Sequence, residues 1–564
     1  MKINLLNYLL SIFFSAFYIA AATAQNIVPP MDIPLLMSGN FGELRNDHFH
    51  SGLDFKTQGV TGFPVKAVKE GYVSRIGVSP YGFGRAVYIS HPDGTTSVYG
   101  HLDHFAPKIE AAVRDSQYLR ESFTVNLIFT PGAFPVRQGE TVAYSGNTGG
   151  SGGPHLHFEL RDTRTEKVFD ALPFFRGYVK DKTPPEIRGI MLFPQPGKGV
   201  AEGGTANAEF AIIKNKTGGC EFAENRTITA WGSLGAGIKA YDRMDGTTNI
   251  YGVKEIVFKV DGVEIFHSLL DGFFFDETRY INSFIDWNEW KNKRSFFMKS
   301  FIEPGNKLDV YRFARLNGIF SISEERPYDC RYELTDAYGN TTVFNFTILG
   351  VKSAIPEARE KSAFLAFDRD NSVSDKGISL EIPTGSLYSS ISTDFRIYES
   401  SYPYSPVYEL GERAPLHRYC PVSLDVTKDT YPDKSKYGIV MLADGKQTWI
   451  GGKYEDGKIR SKIRELGSYT VLVDNVPPSI SPLKPLRWAK NRKIAFRITD
   501  DLSGIESWRG TLNGRFALFE YDAKSASLFC NFDAKRMKSG QNALHLTVTD
   551  GAGNVSEYDS VLNW

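Results

Sequence analysis

The 564-residue chain carries 65 basic (Lys, Arg) and 65 acidic side chains, for a formal net charge of zero, and 13% of its residues are aromatic. This length exceeds what one hydrophobic core supports, so several domains are expected. The charge balance excludes a general nucleic-acid binder, which carries a basic excess. The aromatic content and the many short Val/Ile/Tyr/Phe runs between turn residues predict a mainly β fold.

Met1-Lys2 is followed by an apolar run from Leu5 to Ala21 that ends in Ala22-Thr23-Ala24-Gln25. Small residues at 22 and 24 predict a signal peptide over 1–24, cleaved after Ala24, with a membrane anchor as the alternative. No later run approaches the ~20 apolar residues needed to span a bilayer. The mature chain is therefore expected to be exported, to the periplasm or outside the cell, without a membrane span. Cys220, Cys330, Cys420 and Cys530 lack the close spacing of metal-binding pairs. Export permits disulfides between them, and buried free thiols are the equal alternative.

Next come the elements in chain order. Val65–Val68, Gly71–Ile76, Ala86–Ser90 and Thr95–Tyr99 read as short strands. A Pro92-Asp93-Gly94 turn predicts an antiparallel hairpin between the last two. From Pro107 to Ser122 the spacing of Ile109 and Val113 predicts a surface helix. Strands resume near Val136, and His155–Leu160 alternates with period two. The Pro184-Pro185 pair marks a boundary, and Val476-Pro477-Pro478 marks a similar one. Thr335–Asn340 is echoed by Thr549–Asn554. The expected division is 25–182, then two immunoglobulin-like β-sandwiches over 183–352 and 476–564, with a third β-rich module over 353–475 between them.

Seven of the ten histidines precede residue 158, which is where metal or acid–base chemistry should be sought. Three segments matter: His50-Ser51-Gly52-Leu53-Asp54, then Tyr99-Gly100-His101-Leu102, then the glycine-rich Gly146–Gly153 leading into Pro154-His155-Leu156-His157-Phe158-Glu159. On a strand, His155 and His157 share one face while Leu156, Phe158 and Leu160 take the other. One His can then ligate a metal while its neighbour stands beside the open coordination position. Each motif alone is weak, and their order with the glycine run makes the signal.

With Asn40–Arg45 and Val136–Gly149, these segments make residues 38–175 resemble the LytM/lysostaphin family of zinc metallopeptidases, which cut peptide bonds in bacterial cell walls. The resemblance implies a small antiparallel β-domain of the duplicated-hybrid-motif type. It further implies Zn2+ held by His50, Asp54 and His157, with His155 as general base and His101 hydrogen-bonding the attacking water or the oxyanion. The implied substrate is the peptide stem or cross-link of peptidoglycan, with the D-Ala–diaminopimelate bond as the expected target. A non-catalytic wall-binding scaffold or amidase activator is the alternative. Compared with compact relatives, the chain is longer around 108–135, which predicts either a wall over the groove or a surface elaboration. The region after Lys182 is expected to be dispensable for chemistry and to serve targeting, or to dock an envelope partner.

Overall fold

The computed structural model describes residues 27–216, 218–358 and 361–564; the expected signal peptide lies outside them. The chain is mainly β, as its composition predicts. Among the described residues no helix is long and apolar enough to cross a membrane. All four cysteines are free thiols, with Cys330, Cys420 and Cys530 buried in β cores.

The N-terminal unit is built on an antiparallel sheet. Its strands run in the order Met37–Gly39, Leu53–Lys56, His155–Asp162, Thr95–Gly100, Arg85–Ser90, Gly71–Val78 and Val125–Ile128. Leu53, Phe55, Leu156, Phe158, Leu160 and Tyr99 are fully buried. They share one face, with Phe175 packed against Phe55 and Phe158 at ring-centroid distances of 5.4 Å. A buried aromatic removes most of its 150–250 Å2 from water, so this layer fixes the strand register on which the opposite face depends.

The helix expected near residue 107 spans Pro107–Leu119. Pro107 sits in its first turn, where the missing N–H costs nothing. Ile109, Val113 and Gln117 are spaced four apart and form its buried face. The helix and the strand after it do not close over the sheet; they support the C-terminal unit. Tyr118 donates its hydroxyl to Asp533 at 3.0 Å, Arg114 reaches the same carboxylate at 3.3 Å, and Arg509 pairs with Glu121. Phe123 faces Trp508 with ring centroids 6.5 Å apart. The elongated 108–135 segment is therefore a platform between two units of the chain.

Beyond Lys182 the next sheet is formed by strands from Glu186–Ala201 to Thr341–Gly350. An eight-stranded sheet follows within 371–473, and two four-stranded sheets over 479–563 enclose one core built on Phe496, Leu528, Leu546 and Val548. The expectation that the N-terminal unit is self-contained does not hold. One continuous core runs from Ile27 to Ile348. Strand Val168–Phe169 pairs with Gly272–Phe273, and Phe273 packs on Phe41 and Phe49 at 5.2 and 5.7 Å. The physical reason is apolar area: the segment carrying Phe41 and Phe49 finds its cover in the following unit rather than in its own sheet.

Candidate metal centre

Strand register assembles the site. His157 lies opposite Asp54 on one neighbouring strand and opposite Gly100 on the other. Three strands thus bring Asp54, His157 and the Gly100–His101 strand end into one row. His50 enters from the loop before Leu53–Lys56. That loop can close only because residue 52 is glycine: a Cβ there would lie 2.2 Å from the Phe158 carbonyl oxygen and 3.0 Å from the His157 ring.

His50 Nε2, Asp54 Oδ1 and His157 Nδ1 converge, with separations of 3.0, 3.0 and 3.1 Å. His50, Asp54 and His157 are buried. The other nitrogen of each imidazole is committed. His50 Nδ1 donates to the Asn40 carbonyl at 2.7 Å, and His157 Nε2 donates to Glu159 Oε1 at 3.0 Å. A carbonyl oxygen only accepts, so His50 must carry its proton on Nδ1, leaving Nε2 bare. Three lone pairs therefore point at one another. Ligands about 2.0–2.2 Å from a tetrahedral zinc lie roughly 3.3 Å apart, so this N2O set fits a zinc-sized cation.

Electrostatics agree. Burial alone would raise the Asp54 carboxyl, but His50, His155 and His157 hold it well below the ordinary range. Burial disfavours a charged His157, yet Asp54 and Glu159 overcome that and raise it to about 9. The site demands positive charge, which a proton supplies in the absence of a cation. Asp54 offers one oxygen to the cluster while Arg45 holds the other at 3.3 Å. Glu159 is itself fixed by Arg161 at 2.6 Å and by the Ser51 hydroxyl.

The two remaining histidines stand beside this set. His155 Nε2 is 3.3 Å from Asp54 Oδ1, and its Nδ1 donates to the Gly153 carbonyl at 2.8 Å. His101 Nδ1 donates to the Thr148 carbonyl at 2.8 Å, and its ring centroid is 4.8 Å from that of His155. Burial first, then His157 and His155, push His101 down to about 3, so it is neutral at pH 7. His101 holds a left-handed backbone (φ 58°) at the strand end. This conformation is costly for a non-glycine residue and is commonly held at functional sites. The glycine-rich loop supplies both carbonyls that set these tautomers. Gly149 of that loop has φ 69°, and a Cβ on it would lie 2.3 Å from the Gly84 amide.

All five residues singled out in the sequence thus meet in one place. Sequence reasoning passed over Glu159, although it continues the alternation of His155 and His157 on the same strand face. It also passed over Asn40, whose carboxamide pairs both ways with the Gly252 backbone at 2.9 Å. No local pattern signals that second contact, because its partner is 212 residues away.

Comparison with known proteins matches this geometry to one family. Residues 48–123 match the profile of Peptidase family M23, and residues 362–474 match that of a Zu5-like domain. The chain is 31% identical over 112 residues to the DD-carboxypeptidase/endopeptidase Mpg of Neisseria gonorrhoeae, covering 20% of each protein. It is 29% identical over 140 residues to lysostaphin of Staphylococcus simulans, covering 24% of this chain and 23% of lysostaphin. The chain thus spans about a fifth to a quarter of the curated relatives it matches. The solved catalytic domain of S. simulans lysostaphin aligns at 24% identity with a TM-score of 0.20, over 25% of this chain and 92% of that domain. The N-terminal region of the chain is a Peptidase family M23 domain of the LytM/lysostaphin type, followed by β-rich units that include a Zu5-like domain.

Proposed function

We propose that the protein is an exported zinc-dependent endopeptidase that hydrolyses peptide cross-links of bacterial peptidoglycan. The observation that carries this reading is the convergence of three bare ligand atoms from His50, Asp54 and His157 beside two further imidazoles whose tautomers are fixed. A binding scaffold needs no proton acceptors next to its metal. The wall as substrate follows from the relatives, one named a DD-carboxypeptidase/endopeptidase and another lysostaphin.

His50, Asp54 and His157 would hold the zinc. When bound, zinc polarises a carbonyl and lowers the pKa of water from about 15.7 towards about 7. The protein's own groups do the rest. The Gly153 carbonyl keeps the His155 proton on Nδ1, so Nε2 faces the cluster as an acceptor 3.3 Å from Asp54 Oδ1. His155 thereby takes the proton of the attacking water and, once charged, is the donor for the leaving amine. His101 also presents a bare Nε2, because Thr148 holds its other nitrogen. In its neutral form it orients water by accepting a hydrogen bond, and it becomes an oxyanion donor only after taking up a proton.

The test is digestion of purified sacculi by the zinc-loaded chain, with released muropeptides identified by mass spectrometry. Fragments cut at peptide cross-links, absent with His157→Ala, are the expected result. Sacculus binding without release of any fragment would overturn the enzyme reading in favour of a scaffold. The fragment masses separate the D-Ala–diaminopimelate bond from a glycine bridge.

A further inference from the structure

A second group of buried ionisable side chains lies away from the histidine cluster. Asp181 sits in the linker before Pro184-Pro185, Asp242 follows strand Ile228–Tyr241, and Asp336 follows strand Pro327–Thr335. One carboxylate oxygen from each lies within 4.8 Å of the others. Their exposures are 7%, 1% and 3%. None of the three forms an ion pair among the described residues.

Their hydrogen bonding is incomplete. Asp336 is saturated by its own turn: it accepts from the amides of Tyr338 and Asn340 at 2.7 and 2.9 Å, and from Asn340 Nδ2 at 2.7 Å. Asp181 accepts from the Thr183 amide through Oδ1, and its Oδ2 is buried without a partner. Asp242 is buried with both oxygens unpartnered, the adjacent Arg243 amide lending only a weak contact. Burial and the facing Asp336 push Asp242 up to about 8. An orphaned buried carboxylate beside two others is costly unless a cation joins them.

We propose that Asp181, Asp242 and Asp336 bind one hard divalent cation, calcium, at the junction between the peptidase unit and the unit that follows it. The oxygen-only donor set suits calcium and not zinc, which takes nitrogen or sulfur. The spacing recurs. Asp181 stands three residues before Pro184-Pro185, as Asp474 does before Pro477-Pro478. Asp242 precedes Gly246 by four, as Asp500 precedes Gly504. Asp336 precedes Gly339-Asn340 as Asp550 precedes Gly553-Asn554. Asp474, Asp500 and Asp550 also converge. In that second group, however, Asp474 and Asp500 are satisfied by backbone amides of Val476, Ser503, Leu502 and Gly504, so the proposal is confined to the first.

The location gives the cation a task. The Asp242 backbone exchanges both hydrogen bonds with Tyr251, at 2.9 and 3.0 Å. Tyr251 donates its hydroxyl to the Met37 carbonyl at 2.8 Å, and Gly252 pairs with Asn40, which holds His50. Calcium at Asp242 fixes the linker and the segment that props the metal loop.

The experiment uses the chain from residue 25 to 564, zinc-loaded, in calcium-stripped buffer. Calcium chloride is titrated by calorimetry, and melting is followed with and without calcium. Binding in the micromolar to millimolar range and a rise of several degrees in Tm are expected, with magnesium far weaker. Asp242→Asn removes one of three facing charges. It should therefore melt above the wild type without calcium and below it with calcium, and bind one calcium fewer. Asp181→Asn is read in the same way should the first variant fail to fold. No heat and no Tm shift in the wild type, an unchanged calcium response in the variants, or variants less stable than wild type in stripped buffer would each overturn the proposal.

Discussion

The Asn40 carboxamide is bonded in both directions to the backbone of Gly252, while the Asn40 carbonyl accepts the Nδ1 proton of His50. A residue beyond the expected domain boundary therefore stands one hydrogen bond from a metal ligand. Asn40→Ala should lower Tm, since breaking this buried pair costs about 1–3 kcal/mol. It should also loosen zinc about tenfold by freeing His50 to rotate. A fragment of residues 25–182 should be insoluble or metal-poor, because Phe41 and Phe49 lose the cover of Phe273. Elemental analysis and melting curves check both. A stable, fully zinc-loaded fragment would show that the contact is incidental.

His155→Ala should keep its zinc and lose hydrolysis by about 100- to 10,000-fold, since only the proton acceptor is removed. His101→Ala should also retain zinc. Its loss should be smaller if it only orients water. Muropeptide release rates at equal metal content measure both. Near-native cleavage by His155→Ala would transfer the base role to His101.

Glu159 touches no presumed ligand atom, yet it fixes the His157 ring through Nε2 at 3.0 Å and is fixed in turn by Arg161. Glu159→Gln removes the charge and leaves Arg161 with Glu166. Zinc affinity should fall about 10–100-fold, read by competition with a chelator. Unchanged affinity would confine Glu159 to a packing role.

The Lys69–Asp93 pair at 2.6 Å anchors the hairpin turn far from the histidines. Burial opposes it, but Lys69 and Thr95 bring Asp93 down to about 2. A depressed carboxyl stabilises the fold above its unfolded value of 3.8 and loses that contribution as pH falls through about 2. Asp93→Asn should therefore cost about 1 kcal/mol at pH 7, solvent screening limiting the effect. The gap between variant and wild type should close as denaturation is followed from pH 4 to pH 2. A gap independent of pH would assign the effect to turn geometry alone.

Replacing residues 108–135 with a short loop should release the C-terminal unit, because Arg114, Tyr118, Glu121 and Phe123 hold it. Small-angle scattering should show a larger radius of gyration. An unchanged radius would return this segment to a surface elaboration.

Much of the site was legible in the sequence because its logic is local. Two-residue alternation places His155 and His157 on one face whatever else the chain does, and Gly52 permits the only close approach that lets His50 and Asp54 meet. The alternation also contains Glu159, though its task becomes visible only once His157 has chosen Nδ1 for the cluster. The signal-like N-terminus, the helix at 107–119 and the mainly β character likewise follow from composition and periodicity. Tertiary structure alone decided the rest. The tautomers of His101 and His155 depend on carbonyls of a glycine loop whose path is set by packing against Gly82–Gly84. The pairing of Asn40 with Gly252, the covering of Phe41 and Phe49 by Phe273, and the use of 108–135 as a platform join residues hundreds apart. Sequence periodicity reports which face of an element is apolar, but not which distant surface covers it, because many apolar surfaces satisfy the same local pattern.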